Sequence, residues 1–237
     1  EDGIIYWHGL PFTTHTELMD KQLFEYGLSL SKKLDKRFGR KTIAAKMTDV
    51  PGHTKAIIPL LAKSGIKFLH IGVNPASAVP KVPSIFRWIG ADGSEVIVCY
   101  SYNYGQDCIL PCMKEALYFA HTGDNCGPQS KELVIEQFNY LKEKYPNAEI
   151  VASTLDDYAE AIMKYKDSLP KVYEEIGDSW IHGTASDPLK VSKFRELLRL
   201  RSRWVNEGKF EGLEKELEDF SLNLMLVSEH TWGMDIK

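Results

Sequence analysis

An aspartate that follows an apolar run and precedes Pro-Gly is a carboxylate held at a turn. Asp49 stands this way in Thr48-Asp49-Val50-Pro51-Gly52-His53-Thr54. Such a group can serve as nucleophile, general base or metal ligand, or it can accept the free amides of the next helix. A second loop, His121-Thr122-Gly123-Asp124-Asn125, holds an imidazole, a carboxylate and an amide beside glycine. That set suits acid–base work or a plain turn. Trp7-His8 and His15-Thr16-Glu17 place aromatic rings next to polar groups, which fits ligands with apolar faces and hydroxyl edges. Asp178 and His182 follow an apolar run at Val172–Ile176, and His230 with Trp232 follows a helical pattern.

The elements that must position these groups are legible in the periodicity. Strand patterns fall at Ile4–His8, Thr42–Met47, Lys67–Gly72, Phe86–Ile89, Val96–Tyr100, Ala116–Ala120, Glu149–Ser153 and Val172–Ile176. Helical patterns cover Leu18–Phe38, a segment after Thr54 ending at Ser64-Gly65, Ser130–Lys144, and a helix capped by Thr154. Asp92-Gly93 between two strand patterns reads as a hairpin turn. Beyond Pro188 two helices, Val191–Val205 and Leu213–Val227, follow without a strand. Alternating strands and helices predict a mainly parallel sheet or barrel, whose functional residues lie at the carboxyl ends of strands. Asp49, His121, Asp124 and Asp178 all occupy such loops. The arginines 195, 199, 201 and 203 are expected to pair with glutamates 211, 214, 216 and 218 of the neighbouring helix.

Composition sets outer limits. The 237 residues are 43% hydrophobic and 26% charged, enough for a core and too apolar for disorder. No apolar run reaches the ~18 residues of a membrane helix. A net charge of −4 gives no basic field for nucleic acid or acidic lipid. Cys99, Cys108, Cys112 and Cys126 lack paired metal spacing and are expected to be free thiols. The chain opens on Glu1-Asp2 and closes on Asp235-Ile236-Lys237, and it reads as a fragment of a longer protein.

The order of these motifs resembles glycoside hydrolase family 38, the α-mannosidases. Met47 to Thr54, followed by Ile58 to Phe68, is similar to that family's nucleophile segment, Asp-x-x-Gly-His-Ser/Thr and a helix. Gly9 to Glu17 sits where its active-site loop stands, and His121 to Asn125 resembles its Gly-Asp-Asp acid loop. Thr154-Leu155-Asp156-Asp157-Tyr158 resembles its usual strand-to-helix step. Closer still is the DUF5054 type of bacterial protein. Its segments resemble His15-Thr16-Glu17, Thr48–Thr54, Glu175–Trp180 and Glu229–Gly233.

The resemblance implies an α/β fold, an irregular (β/α)7-type barrel over residues 1–190 that lacks its first strand. Residues 191–237 would be a helical hairpin opening a bundle domain. It implies a retaining glycosidase with a bound zinc ion. Asp49 would be nucleophile and metal ligand, Asp124 the general acid, and His230 a second metal ligand. Trp7, His15, Glu17, His121, Asp178 and Trp232 would bind the carbohydrate substrate, and nucleic acid or membrane partners are not expected. The family's further ligand pair comes from a first strand with no counterpart here. Asn125 replaces its second aspartate, and Val50-Pro51 replaces Pro-Phe. Two alternatives stand beside it: a metal-dependent deacetylase, and a non-catalytic carbohydrate-binding or interaction domain keeping Trp7, Trp180 and Trp232.

Overall fold

The computed structural model describes residues 4–121, 126–181 and 187–232. Among them, five strands form one open sheet in the order β1-β2-β4-β3-β5. They are β1 (Ala44–Asp49), β2 (Phe68–Val73), β3 (Ile85–Ile89), β4 (Glu95–Tyr102) and β5 (Lys171–Val172). β1, β2 and β4 run parallel, with Asp49 opposite Val73 and Val73 opposite Tyr102 at their carboxyl ends. β3 returns antiparallel to β4 through the Asp92-Gly93 turn, where Gly93 has φ of 83°. The fold is mixed α/β with a mostly parallel sheet, as the alternation predicts. The described strands make an open sheet, and closure of the expected irregular barrel is not shown among them.

All six residues of β2 are buried, as befits a central parallel strand covered on both faces. On one face Ala45, Met47, Leu69 and Ile71 meet helices α1 (Lys21–Phe38) and α2 (Ile57–Lys63) through Phe24, Leu28, Ile58 and Leu61. On the other, Ala44, Phe68 and Ile97 meet Tyr158, Ala159 and Ile162 of α4 (Leu155–Met163). Asp20 caps α1 by accepting the Leu23 amide, and Gly39 ends it at φ of 67°. Thr154 and Asp157 form a reciprocal capping box on α4. Helix α3 (Lys131–Lys144) starts at the Ser130 cap. Helices α5 (Pro188–Asn206) and α6 (Glu214–Val227) pack on α1 through Leu23, Phe194, Leu198, Leu224 and Met225.

The outer edge of β1 is closed by other groups. Gly9 N–H donates to Ala44 O at 2.8 Å, Asp156 accepts the Ile43 and Ala44 amides, and Thr13 Oγ1 accepts Thr48 N–H. The Ile43, Ala44 and Thr48 amides at that edge are thereby satisfied without a further strand.

Four expected strands are corrected. Ile4 and Ile5 are 80% exposed, and Tyr6 and Trp7 stack on Arg40 instead of joining a ladder. Ala116–Ala120 makes one bridge, Leu117 to Cys108, because Phe119 turns in to cover His70 at 4.1 Å between rings. Glu149–Ser153 leads exposed into the α4 capping box. Val172–Ile176 keeps only Val172, the second residue of β5, before Glu174 O turns to accept the Trp88 indole N–H. The arginines also differ from expectation. Arg199 pairs with Glu196 and Arg203 with Glu207 on the same helical stretch, Arg201 is buried against Ser221, and Glu218 pairs with Lys33 of α1.

The cysteine expectation is overturned in part, since Cys99 and Cys108 form a buried disulfide. It ties the middle of β4 to the loop that folds over the sheet. Closing a loop of separation 9 removes about 2–3 kcal/mol of unfolded-chain entropy. Reduction, or paired serine substitution, is expected to lower stability by that amount in urea titrations. An unchanged midpoint would show that the loop holds without the bond.

Candidate functional site

Five chain segments converge beside the carboxyl end of β1: residues 13–17, 48–54, 74–77, 176–180 and 228–232. Thr14 and Glu229 form an antiparallel bridge, flanked by His15 N–H to Ser228 O at 3.0 Å and His230 N–H to Thr13 O at 3.1 Å. Thr13 Oγ1 in turn accepts the Thr48 amide at 2.8 Å. This relay fixes the segment after α6 against the end of β1.

Asp49 closes the strand at φ of 70°, a left-handed conformation uncommon outside glycine. Its backbone carbonyl accepts the Asn74 amide at 2.9 Å, while Val50 N–H folds back to Thr48 O. The reversal turns its carboxylate toward His230, and Oδ2 lies 3.7 Å from Nε2 of that imidazole. Nδ1 of the same ring lies against the Glu229 carboxylate. Burial raises Glu229, yet hydrogen bonds from Thr231 and contact with His230 hold it below the usual carboxylate value. Trp180 stands at 6.3 Å from the His230 ring, half-buried, with its indole N–H on Ser77 Oγ at 2.9 Å. Carboxylate, imidazole and indole thus share one wall, and Asp49 and Trp180 come from loops on β-strand ends.

A buried layer lies behind that wall. His15 Nδ1 is 2.5 Å from Asp178 Oδ2, and His15 Nε2 is 2.7 Å from the carbonyl of His230. Asp178 Oδ1 accepts the Trp180 amide at 2.7 Å, and Asp178 N–H donates to Glu17. Burial raises the Glu17 carboxyl above its ordinary value, opposed by that hydrogen bond and reinforced by Asp178 and Glu175. His15 and Asp178 are 2% and 4% exposed, so both serve the framework and present no surface to a ligand.

His53 is buried beneath the turn. Its Nδ1 meets the Thr16 hydroxyl at 3.3 Å, and Nε2 is buried without a hydrogen-bond partner among the described residues. Burial depresses its pKa to about 4, with Asp178 opposing and His15 adding to the shift. The unfolded imidazole takes a proton near pH 6.5 and the folded one only near 4. Its contribution is therefore complete above about pH 6.5 and is lost as pH falls toward 4, by about 3 kcal/mol. Denaturant midpoints at pH 7, 5.5 and 4.5 should fall accordingly, and His53→Gln should flatten that slope. An equal slope in the variant would place the acid sensitivity elsewhere, for instance at His8, which burial and Lys46 also lower to about 4.

Of the remaining expected site residues, Trp7 and His121 lie apart and Trp232 lies in the core behind the wall. Trp7 donates its indole N–H to Asp35 near the end of α1, beside the amino end of β1. That is five strand residues from Asp49, roughly 17 Å. Trp232 is 7% exposed, edge-on to Phe194 at 5.9 Å and to His15 at 6.5 Å, so its ring is core and not a platform. His121 sits edge-on to Tyr104 and lines a polar cavity of about 550 Å3 with Asp107, Tyr118, Gln137 and Lys144. Asp124 and His182 lie outside the described residues. Sequence reasoning gave Trp180 only as a spare aromatic, although its place two residues after Asp178 puts it on the wall. Glu229 carried a signal only as the neighbour of His230.

The donor set can be tested against zinc. The 3.7 Å between Asp49 Oδ2 and His230 Nε2 is about 0.4 Å wider than the roughly 3.3 Å between two ligands on one tetrahedral ion with bonds of about 2.0 Å. No third His, Cys, Asp or Glu joins them in a metal-binding group among the described residues. Among the described residues only Asp49 and His230 stand at this spacing.

Comparison with known proteins gives the relationship. The family described as "Domain of unknown function (DUF5054)" matches residues 184–237. No curated protein matches the chain. Among solved structures, an α-mannosidase from Enterococcus faecalis V583 aligns with TM-score 0.51 and 15% identity, over 71% of this chain. The chain spans 22% of that enzyme's length. A 4-alpha-glucanotransferase from Thermococcus litoralis aligns with TM-score 0.36 and 13% identity, over 87% of this chain and 33% of that one. Residues 184–237 thus match the DUF5054 family, and the chain is similar in fold to an α-mannosidase.

Proposed function

We propose that this chain carries part of the active site of a retaining, α-mannosidase-type glycoside hydrolase, its sheet being one sector of a (β/α) barrel. The observation that carries the reading is the meeting of Asp49, in left-handed backbone at a strand end, with His230 from 181 positions along the chain. Asp49 is the nucleophile that attacks the anomeric carbon and makes the glycosyl–enzyme ester. Asp124, three positions after His121 in the sequence, protonates the leaving oxygen and then draws the proton from water in the second step. Trp180 offers an indole face to the apolar side of a sugar ring, oriented by its hydrogen bond to Ser77. Asp49 and His230 also hold zinc in this reading. A zinc ion supplies positive charge that gathers adjacent sugar hydroxyls as the ring flattens.

Elemental analysis and a screen of aryl glycosides test the proposal together. The expected result is roughly one zinc per chain, lost in Asp49→Ala and His230→Ala, with release of aryl leaving group from an α-mannoside that both variants abolish. Retention of zinc and turnover in either variant overturns the assignment. Binding of sugar without turnover, sensitive to Trp180→Ala but not to Asp49→Ala, would leave a carbohydrate-binding domain as the function.

A further inference from the structure

His15 has acceptors on both ring nitrogens, and that fixes what it does. Nε2 faces the His230 carbonyl at 2.7 Å, and a carbonyl only accepts, so Nε2 carries a proton. Nδ1 faces a carboxylate oxygen of Asp178 at 2.5 Å, so a further proton lies between those two atoms. Asp178 is itself held by two backbone bonds, one from Trp180 N–H to Oδ1 and one from its own N–H to Glu17. The pair therefore joins two chain segments that together form the wall of the site. Asp178 ties down the backbone of Trp180, and His15 ties down the backbone of His230. Neither side chain has surface to offer a ligand, since both are buried almost completely.

We infer that His15 and Asp178 are a positioning pair, a buried clamp that sets His230 against Asp49 and Trp180 against His230. The inference rests on the reading of Asp49 and His230 as the working pair, and it goes beyond it by moving His15 and Asp178 from substrate contact to support. The alternative, two structural residues that merely stabilise the loop junction, makes a different forecast. The junction also has its own backbone ladder, His15 N–H to Ser228 O and His230 N–H to Thr13 O, which remains when the His15 side chain is cut. Loss of His15 should therefore free the His230 ring more than it loosens the chain.

The chemistry of Asp178 supplies a discriminating variant. In Asp178→Asn, Oδ1 still accepts the Trp180 amide while Nδ2 donates to an unprotonated His15 Nδ1. His15 Nε2–H still reaches the His230 carbonyl. Both segments are then held without a charge. In Asp178→Leu neither bond can form.

The test uses the 237-residue protein and NMR of the histidine and tryptophan rings. In wild type and Asp178→Asn, the His230 imidazole should show the same ring shifts and the same cross-relaxation with the Trp180 indole. In His15→Ala and Asp178→Leu these signals should move and the cross-relaxation should be lost, while amide exchange at His15 and His230 rises less than tenfold. Zinc chloride titration gives a second readout, with Asp178→Asn within about threefold of wild type and His15→Ala at least tenfold weaker. Unchanged His230 and Trp180 signals in His15→Ala overturn the clamp. Equal loss in Asp178→Asn and Asp178→Leu does the same, because it makes the carboxylate charge the essential feature. Where His15→Ala does not fold, the Asn–Leu comparison at position 178 decides alone. If wild type binds no zinc but the ring signals behave as described, the clamp stands and the hydrolase proposal falls.

Discussion

Replacing Asp49 by glycine is expected to leave the fold as stable as before, or up to about 1 kcal/mol more stable, while cutting glycoside turnover by about 10⁴-fold or more. The stability term follows from the backbone. At φ of 70° an L side chain is strained and glycine is not. Against that relief stand the greater freedom of glycine in the unfolded chain and the loss of a partly exposed contact with His230, each worth about 1 kcal/mol or less. The catalytic term follows from the proposed role, since no other group takes over the covalent bond when a nucleophile is removed. A 10⁴-fold fall corresponds to about 5.5 kcal/mol of barrier. Alanine keeps the strain and lacks the carboxylate, so Asp49→Ala should be less stable than Asp49→Gly by about 1 kcal/mol and equally inactive. Asparagine, which tolerates left-handed backbone, should match wild type in melting temperature and lose turnover. The pattern to look for is a stability order of Gly at or above Asp and Asn, then Ala, against an activity that only Asp supports. Turnover retained in Asp49→Asn would remove the nucleophile assignment, whereas a collapse of stability in Asp49→Gly would recast Asp49 as a structural turn residue.

The contrast between what the sequence disclosed and what it hid has a physical pattern. The helices α1, α4, α5 and α6 were legible because amphipathic spacing and caps such as Asp20 and Thr154 are local properties. β1, β2 and the β3–β4 pair were legible for a related reason: apolar runs bounded by turn residues leave little choice. Ile4–His8 and Glu149–Ser153 show where locality fails. Both have strand composition, yet whether an apolar run joins a sheet depends on a free edge, and that edge is closed by Gly9, Thr13 and Asp156. The site divides in the same way. Asp49 was legible from its position between strand and Pro-Gly. The pairing of Asp49 with His230, and the withdrawal of His15 and Asp178 from the surface, depend on contacts spanning more than 160 residues, which spacing cannot convey. Aromatic residues were the weakest guide. Trp7, Trp180 and Trp232 looked alike in sequence, but only Trp180 lies on the wall with His230. The Cys99–Cys108 bond was hidden because the motif rules concern metal spacing, while the bond reflects a loop folding back across β4.

Gly52→Ala is expected to be among the most damaging single-methyl changes in the molecule, costing about 3–5 kcal/mol of stability. A Cβ at position 52 would stand 2.2 Å from the carbonyl oxygens of both Ile176 and Gly177. Those are backbone atoms, so no side-chain rotation relieves the overlap, and one of two chain segments must move. The 50–54 turn is held by the Tyr100 hydroxyl on the Pro51 carbonyl and by the His53–Ile176 bridge. The 176–178 segment is held by His15 and Glu17 on Asp178. Displacement of either segment disturbs the site from behind: the first moves Asp49, the second moves Asp178 and, through its amide bond, Trp180. The variant should therefore lose zinc and sugar binding even under conditions where it remains folded. Gly177 offers the control, because a Cβ there would meet nothing closer than Glu17 Oε1 at 3.6 Å, an ordinary contact. Gly177→Ala should accordingly stay within about 1 kcal/mol of wild type, judged by urea midpoints. Comparable losses at positions 52 and 177 would mean that glycine flexibility matters at both sites, and that the close approach of the two backbones is not what holds the turn in place.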